Sequence, residues 1–264
     1  MTFDQNLPII IGLVGEAGTG KDSVADYLVP LARSGALHEE QTVFDRIAFA
    51  QPLKRMATAR QKISGYKAAD RTLYDIHTTL VELLGNSPLY GAPDYDDLIS
   101  MTRKIFSLSC EPDGDKPRKF LQEAADICKT HSENCFVIYA KLKMQEMYRQ
   151  HLYDHKQNDE IAPPFVVIVT DVRLMSEATM ISAQPNGLLI RLSAEPNARI
   201  ERIQKRDGWL DPKRLGHFTE MEIAKIDPMM YNLIIDTTDM IEKEVCEQVY
   251  EFIQQKLQGA SVNA

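Results

Sequence analysis

The stretch from Pro8 to Ser23, PIIIGLVGEAGTGKDS, constrains what this chain can fold into more than any other part of it. Its first half is a short, unbroken apolar run, the pattern of a strand buried on both faces of a sheet. Its second half, Gly15-Glu16-Ala17-Gly18-Thr19-Gly20-Lys21, fits G-x-x-x-x-G-K, a loop that cradles phosphate. The residue types follow from that task. Glycines let backbone N–H groups turn inward and approach phosphate oxygens closely. A helix opening at the lysine aims its free N–H groups and positive dipole end at the same anion. Lys21 supplies a mobile point charge to the β and γ phosphates. Val24, Leu28 and Leu31 recur at helical spacing, which predicts a helix from Lys21 to about Arg33. Strand, loop and helix in that order separate a working phosphate loop from a chance match. After the lysine the usual hydroxyl is replaced by Asp22, with Ser23 one step later. That position ordinarily ligates Mg²⁺. Either the Asp22 carboxylate or the Ser23 hydroxyl can serve, and the residues leave the choice open.

Further strands are expected at Val43 to Phe49, Phe165 to Thr170, Leu188 to Leu192 and Leu233 to Asp236, the clearest being Phe165 to Thr170. Helical stretches are expected after Pro52, at Arg71 to Leu84, Leu98 to Leu108 and Pro117 to about Tyr153. Others follow at Ser176 to Ala183, Pro196 to Arg206 and Met240 to Leu257. Strands that alternate with helices argue for an α/β fold: a doubly wound, mostly parallel sheet with helices on both faces. The 264 residues contain no repeat and no Gly/Ser linker. One domain over 1–264 is therefore expected, with a core at 8–65 and 117–258 and an inserted cap at about 66–116.

Formal charge is −8, from 30 Lys and Arg against 38 Asp and Glu. That balance argues against a nucleic-acid polymer as partner, which normally needs a basic face. A hydrophobic content of 44% excludes a disordered or low-complexity chain. The first residues lack a basic segment ahead of a long apolar run, and no stretch has the length of a membrane span. Cys110, Cys128, Cys135 and Cys246 form neither a C-x-x-C pair nor a zinc spacing. Reduced bystander thiols, no membrane partner and a cytoplasmic location are the expectations.

Beyond the loop, the run from Phe165 ends in Thr170-Asp171-Val172-Arg173. Ligands of open α/β sheets bind at the carboxyl ends of strands. Asp171 is there to contact Mg²⁺ or orient a nucleophile, and Arg173 to grip a phosphate in a bidentate fork. A plain Asp–Arg ion pair in a solvated turn is the alternative. Arg199, Arg202 and Arg206 stand at i, i+3 and i+7, along one helix face. Such a face can close over transferring phosphates, or it can be a solvent face paired with Glu201 and Asp207. Lys54, Arg118, His217 and Glu220 carry little meaning singly.

In order along the chain, these residues resemble the phage and bacterial deoxynucleoside monophosphate kinases, and more distantly phosphomevalonate kinase. Gly20-Lys21-Asp22-Ser23 resembles that family's G-K-D-[ST], where Asp after Lys is normal. Phe49 to Lys54, FAQPLK, resembles its (S/A)-G-P-(L/I)-K, with Ala50-Gln51 replacing the usual small-Gly pair. Pro117 to Gln122, PRKFLQ, resembles the start of its R-(R/K/E)-x-(L/M)-Q helix, although Ala125-Asp126 replaces a glycine and threonine usual soon after. Thr170 to Arg173 resembles its (S/T/P)-D-x-R, and His217 to Glu220 its H-x-(S/T)-E. The matches run from residue 9 to about 255.

The resemblance implies a P-loop kinase fold with a cap and a lid at about 197–220. It implies transfer of the ATP γ-phosphate to a (deoxy)nucleoside 5′-monophosphate, with Mg²⁺. Residues 15–23 and Arg199 would bind ATP; Lys21, Asp171, Arg202 and Arg206 would serve transfer. Asp22, Ser23 and Asp171 would hold the metal. Lys54, Arg118, Gln122, Arg173, His217 and Glu220 would bind the acceptor. Small nucleotides are then the partners, and a homodimer is compatible with the family. Another small acceptor, of the dephospho-CoA or phosphomevalonate type, and a catalytically inactive nucleotide-binding regulator remain the alternatives.

Overall fold

The computed structural model describes residues 7–33, 42–61, 66–85, 93–111, 117–157, 161–208 and 218–261. The expected segments form strands β1 (Ile9–Val14), β2 (Val43–Ile47), β3 (Phe165–Val172), β4 (Gly187–Ser193) and β5 (Leu233–Asp236). They make one five-stranded sheet in the order β2-β3-β1-β4-β5. Every pairing is parallel, with Ile11 opposite Ile168 on one side and Val14 opposite Arg191 on the other. Parallel strands need crossovers, and the helices between them supply those. The chain builds β2 and β3 on one side of β1 and β4 and β5 on the other. The loop leaving β1 therefore lies at the point where the winding reverses, the usual ligand position of such sheets.

Alternation along the strands sorts their side chains by face. Ile9, Ile11 and Leu13 of β1 and Leu188, Ile190 and Leu192 of β4 share a core with Val24, Ala25 and Leu28 of helix α1 (Lys21–Arg33). Val249 and Ile253 of the last helix, α10 (Glu242–Ser261), complete it. The opposite face admits α7 (Met175–Ser182) only because Gly12 has no side chain. A Cβ there would meet Ile181 Cδ1 at 2.6 Å and Leu189 Cδ2 at 2.7 Å.

The chain divides into two compact units, one of residues 1–48 with 144–264, the other of residues 49–143. The first holds the sheet. The second contains α2 (Gln51–Gln61), α3 (Tyr66–Leu84), α4 (Tyr95–Ser107) and α5 (Arg118–His131), and its boundary falls inside α6 (Cys135–Gln157). Its core joins Met56, Ile76, Leu80, Leu84, Ile105 and Phe120. This helical unit extends past 66–116 at both ends because α2 and α5 pack on α3 and α4. Arg60 Nε donates to the Phe106 carbonyl at 2.8 Å, and Thr72 Oγ1 to that of Ala59 at 3.1 Å.

Helical periodicity at 117–153 predicts one helix where there are two. Ser132 is extended (φ −149°) and its carbonyl accepts the N–H of Cys135, which closes α5 and opens α6. Helices α8 (Pro196–Asp207) and α9 (Phe218–Ile223) precede β5. Residues 209–217 of the expected lid, including His217, lie outside the described residues. All four cysteines are free, three of them buried. Among the described residues no helix is long and apolar enough to cross a membrane.

Candidate functional site

The loop between β1 and α1 winds around the main-chain carbonyl of its own Glu16. Thr19 Oγ1 donates to that oxygen at 2.9 Å and Lys21 Nζ at 2.7 Å. Gly18 sits at φ +82°, where a Cβ would also come within 2.8 Å of the Arg199 carbonyl. Glycine is thus required twice over at that position. Lys21 is only 7% exposed. Burial lowers its pKa to about 7, helped by the positive charges of Arg173 and Arg191, while Asp22 and Glu16 oppose the shift. An ammonium held in this way is poised for an anion that would restore its charge.

Around the loop stand cations from separate elements. Arg191, near the end of β4, donates from Nη2 to Glu16 Oε1 at 2.6 Å. Arg199 of α8, buried, places Nη1 at 3.8 Å from Glu16 Oε2. Burial would raise the Glu16 pKa, but the Arg191 hydrogen bond, with the charges of Arg191 and Arg199, holds it below the usual carboxylate range. Arg202 is a clamp: Nη1 donates to Thr237 Oγ1 at 3.0 Å and reaches the Gly18 carbonyl at 3.4 Å. Its Nη2 donates to the carbonyls of Thr237, Thr238 and Met240. Helix α8 is in this way tied both to the phosphate loop and to the turn after β5. Arg206, on the same helix, is exposed.

At the carboxyl end of β3, Asp171 is half-buried and Arg173 follows the strand. Glu177 fixes this turn. Its Oε2 accepts the N–H groups of Arg173 at 2.7 Å and of Leu174 at 2.9 Å. Burial, and next the Asp171 charge, push the Glu177 carboxyl up to about 7. Asp22 is exposed on the first turn of α1 and Ser23 is half-buried beside it. Two carboxylates and a hydroxyl are hard donors of the kind Mg²⁺ takes when phosphate oxygens and water fill its other positions. Among the described residues no three His, Cys, Asp or Glu side chains gather into an all-protein metal cage, and Mg²⁺ at phosphates does not need one. The donor set fits the ion.

In the helical unit, Lys54 lines a cleft of about 390 Å³ between α2 and α3, together with Gln51, Thr58, Tyr74, Asp75 and Thr78. Arg118 is the first residue of α5 and half-buried; Gln122 is exposed one turn on. Glu220 falls in α9. The sheet unit thus gathers residues 15–23, Asp171, Arg173, Arg199 and Arg202. Arg191, Glu177 and Thr237 were not foreseen. Arg191 did leave a signal, a lone charge inside the apolar run Leu188 to Leu192. Glu177 left a fainter one, an acid three residues into a helix. Thr237 left none.

Strand order and loop placement define the class: a doubly wound, all-parallel α/β protein with a G-x-x-x-x-G-K loop at its switch point. No family model matches the sequence, and no curated protein matches it. The resemblance to deoxynucleoside monophosphate kinases therefore draws no support from either. Solved structures similar to this chain include TT1252 from Thermus thermophilus, at 16% identity, covering 95% of this chain and 98% of that one with a TM-score of 0.44. Another is an uncharacterized protein from Eubacterium ventriosum (11% identity, 94% and 99% coverage, TM-score 0.38). A third is the dephospho-CoA kinase from Campylobacter jejuni (12% identity, 94% and 97% coverage, TM-score 0.40).

Proposed function

We propose that this protein is an ATP-dependent P-loop kinase that phosphorylates a (deoxy)nucleoside 5′-monophosphate. One observation carries the phosphotransfer reading. The G-x-x-x-x-G-K loop stands at the switch point of a parallel sheet with its lysine buried and folded back on the loop, and Arg173, Arg191 and Arg199 are grouped about it. In the reaction an oxygen of the acceptor phosphate attacks the ATP γ-phosphorus. The bond from the γ-phosphorus to the β-bridging oxygen breaks, leaving ADP and a diphosphate. Such transfer needs positioning and charge neutralisation more than covalent chemistry. Lys21 follows the transferring group, and the N-terminus of α1 cradles the β-phosphate. Asp22, Ser23 and Asp171 would hold Mg²⁺, which when bound neutralises charge on the phosphate oxygens. Arg173 takes the acceptor phosphate, and Lys54, Arg118 and Gln122 are assigned to the acceptor by resemblance.

A specific observation keeps a second acceptor class in view. Gln51 stands where the resembling family has glycine, and its side chain lines the α2/α3 cleft next to Lys54. A longer side chain than glycine beside Lys54 changes the space there, and another small acceptor, of the dephospho-CoA or phosphomevalonate type, is the second reading. The deciding measurement is ADP release with ATP–Mg²⁺ and a panel of dNMPs, NMPs, dephospho-CoA and phosphomevalonate. One acceptor class should raise turnover well above the ATP-only rate. Lys21→Ala should reduce that rate about a hundredfold or more, the scale for loss of one preorganised charge at a transition state. If none of these acceptors raises turnover while ATP still binds, the nucleoside monophosphate kinase reading fails and the nucleotide-binding regulator is favoured.

A further inference from the structure

A carboxylate inside an anion-binding loop opposes the loop's purpose unless something offsets it. Glu16 is such a carboxylate, and it faces two ways. Its side chain is held by Arg191 at 2.6 Å and Arg199 at 3.8 Å, from two different elements. The side chains are only 23% exposed for Glu16, 16% for Arg191 and 10% for Arg199. This is not a pair that solvent screens to insignificance. Its main-chain oxygen accepts both the Lys21 ammonium and the Thr19 hydroxyl. The register that sets Arg191 opposite Val14 puts the guanidinium at the root of the loop.

We infer that Glu16 is the positioning residue of the phosphate loop: Arg191 and Arg199 pin its carboxylate so that its backbone carbonyl parks Lys21 for the incoming phosphates. The inference rests on the phosphate-binding reading above. It extends that reading by assigning a role to a side chain that need not touch the nucleotide. Released from the two arginines, the Glu16 peptide would lose its tether. Lys21 and Thr19 would then lose the acceptor that orders them. A loop ordered in advance spares the ligand that ordering cost. The opposite role is a brake, in which Glu16 competes with phosphate for Arg191 and Arg199. The two roles predict opposite signs.

The full-length protein is titrated calorimetrically with inorganic tripolyphosphate and with ATP–Mg²⁺. The variants are Glu16→Gln, Glu16→Ala, Arg191→Met and the double Glu16→Ala/Arg191→Met. Positioning predicts that each single change weakens tripolyphosphate about tenfold, and that the double is little worse than either single because both act through one contact. It also predicts faster acylation of Lys21, read by peptide mapping, in Glu16→Ala than in the wild type. All comparisons are made at a temperature where circular dichroism shows each variant folded, and Glu16→Gln, nearest in shape, guards against a general loss of structure. Unchanged or tighter tripolyphosphate binding in Glu16→Gln and Glu16→Ala overturns the inference while leaving the phosphate loop intact. If the wild type binds neither ligand, the phosphate-binding reading itself fails, a result visible before any variant is made.

Discussion

Gly18 shows how a single position can answer to both backbone and packing. At φ +82° an L side chain is strained by about 1–2 kcal/mol. The Cβ of Gly18→Ala would also press on the Arg199 carbonyl at 2.8 Å, an atom of helix α8 that has little room to yield. Gly18→Ala should therefore lower the urea midpoint and weaken tripolyphosphate binding together, because the strain falls on the loop that binds. A variant that is destabilised yet binds as the wild type does would separate the two effects and contradict this account. The same region shows what residue spacing can and cannot convey. Arg199, Arg202 and Arg206 read as one face of a helix, and they do lie on one helix. Two of them meet different groups nonetheless: Arg199 faces Glu16, and Arg202 grips the backbone after β5. Periodicity reports the direction of a side chain and says nothing of what meets it. The partner of Arg202, Thr237, comes from 35 residues further along.

At the scale of elements, the central strands β1 and β3 were legible because parallel strands buried on both faces are unbroken apolar runs; the edge strands β2 and β5 are only partly buried, and their signal is shorter and interrupted by charge. Helix α1 was legible because its loop announces its first residue. The break between α5 and α6 was not, since Ser132, Glu133 and Asn134 sit inside an otherwise helical pattern and the break depends on local backbone bonds. Helix α9 is six residues long, too short for a periodic signal. The join of α6 to β3 carries a pH dependence. His151 is buried, its Nε2 2.9 Å from the Pro163 carbonyl and its ring stacked 4.7 Å from that of Phe165. Burial lowers its pKa. The nearby His155 adds to that, while the Pro163 carbonyl and Asp154 oppose it. The folded protein thus favours neutral His151 more than the unfolded chain does. Its contribution to stability is full above the unfolded value near 6.5 and is lost as pH falls below it. Between pH 7 and 5 the unfolding free energy should decline, by at most about 1.4 kcal/mol per pH unit from this one group. In His151→Phe the decline should be shallower whatever the absolute stability. Equal slopes in the two proteins would assign the pH dependence elsewhere.

The molecule as a whole is acidic, yet the cations about the phosphate loop come from the turn after β3, from β4 and from α8 of the sheet unit. Much of the acidic excess lies far along the chain, in residues 236 to 251, with six acids against one base. A net charge of −8 therefore describes the body of the protein and not its loop. The division into two units makes that separation testable. The loop's contacts to Arg191, Arg199 and Arg202, and the hydrogen bond from Thr237 Oγ1 to the Thr19 carbonyl at 3.4 Å, lie within residues 1–48 and 144–264. Residues 49–143 own a separate core around Ile76, Leu80, Ile105 and Phe120, and about 95 residues are enough for a helical unit to fold alone. Expressed by itself, 49–143 should give a helical circular dichroism spectrum and a cooperative melt. Joining residues 48 and 144 by a short Gly-Ser linker should leave a protein that binds tripolyphosphate within a few-fold of the full chain. On the proposed kinase reading the same protein should transfer phosphate to no acceptor, since Lys54, Arg118 and Gln122 are gone. Retained transfer would place the acceptor on the sheet unit alone and remove those three residues from the site. Loss of tripolyphosphate binding in a spliced protein that still melts cooperatively would mean that the loop depends on the helical unit for its shape.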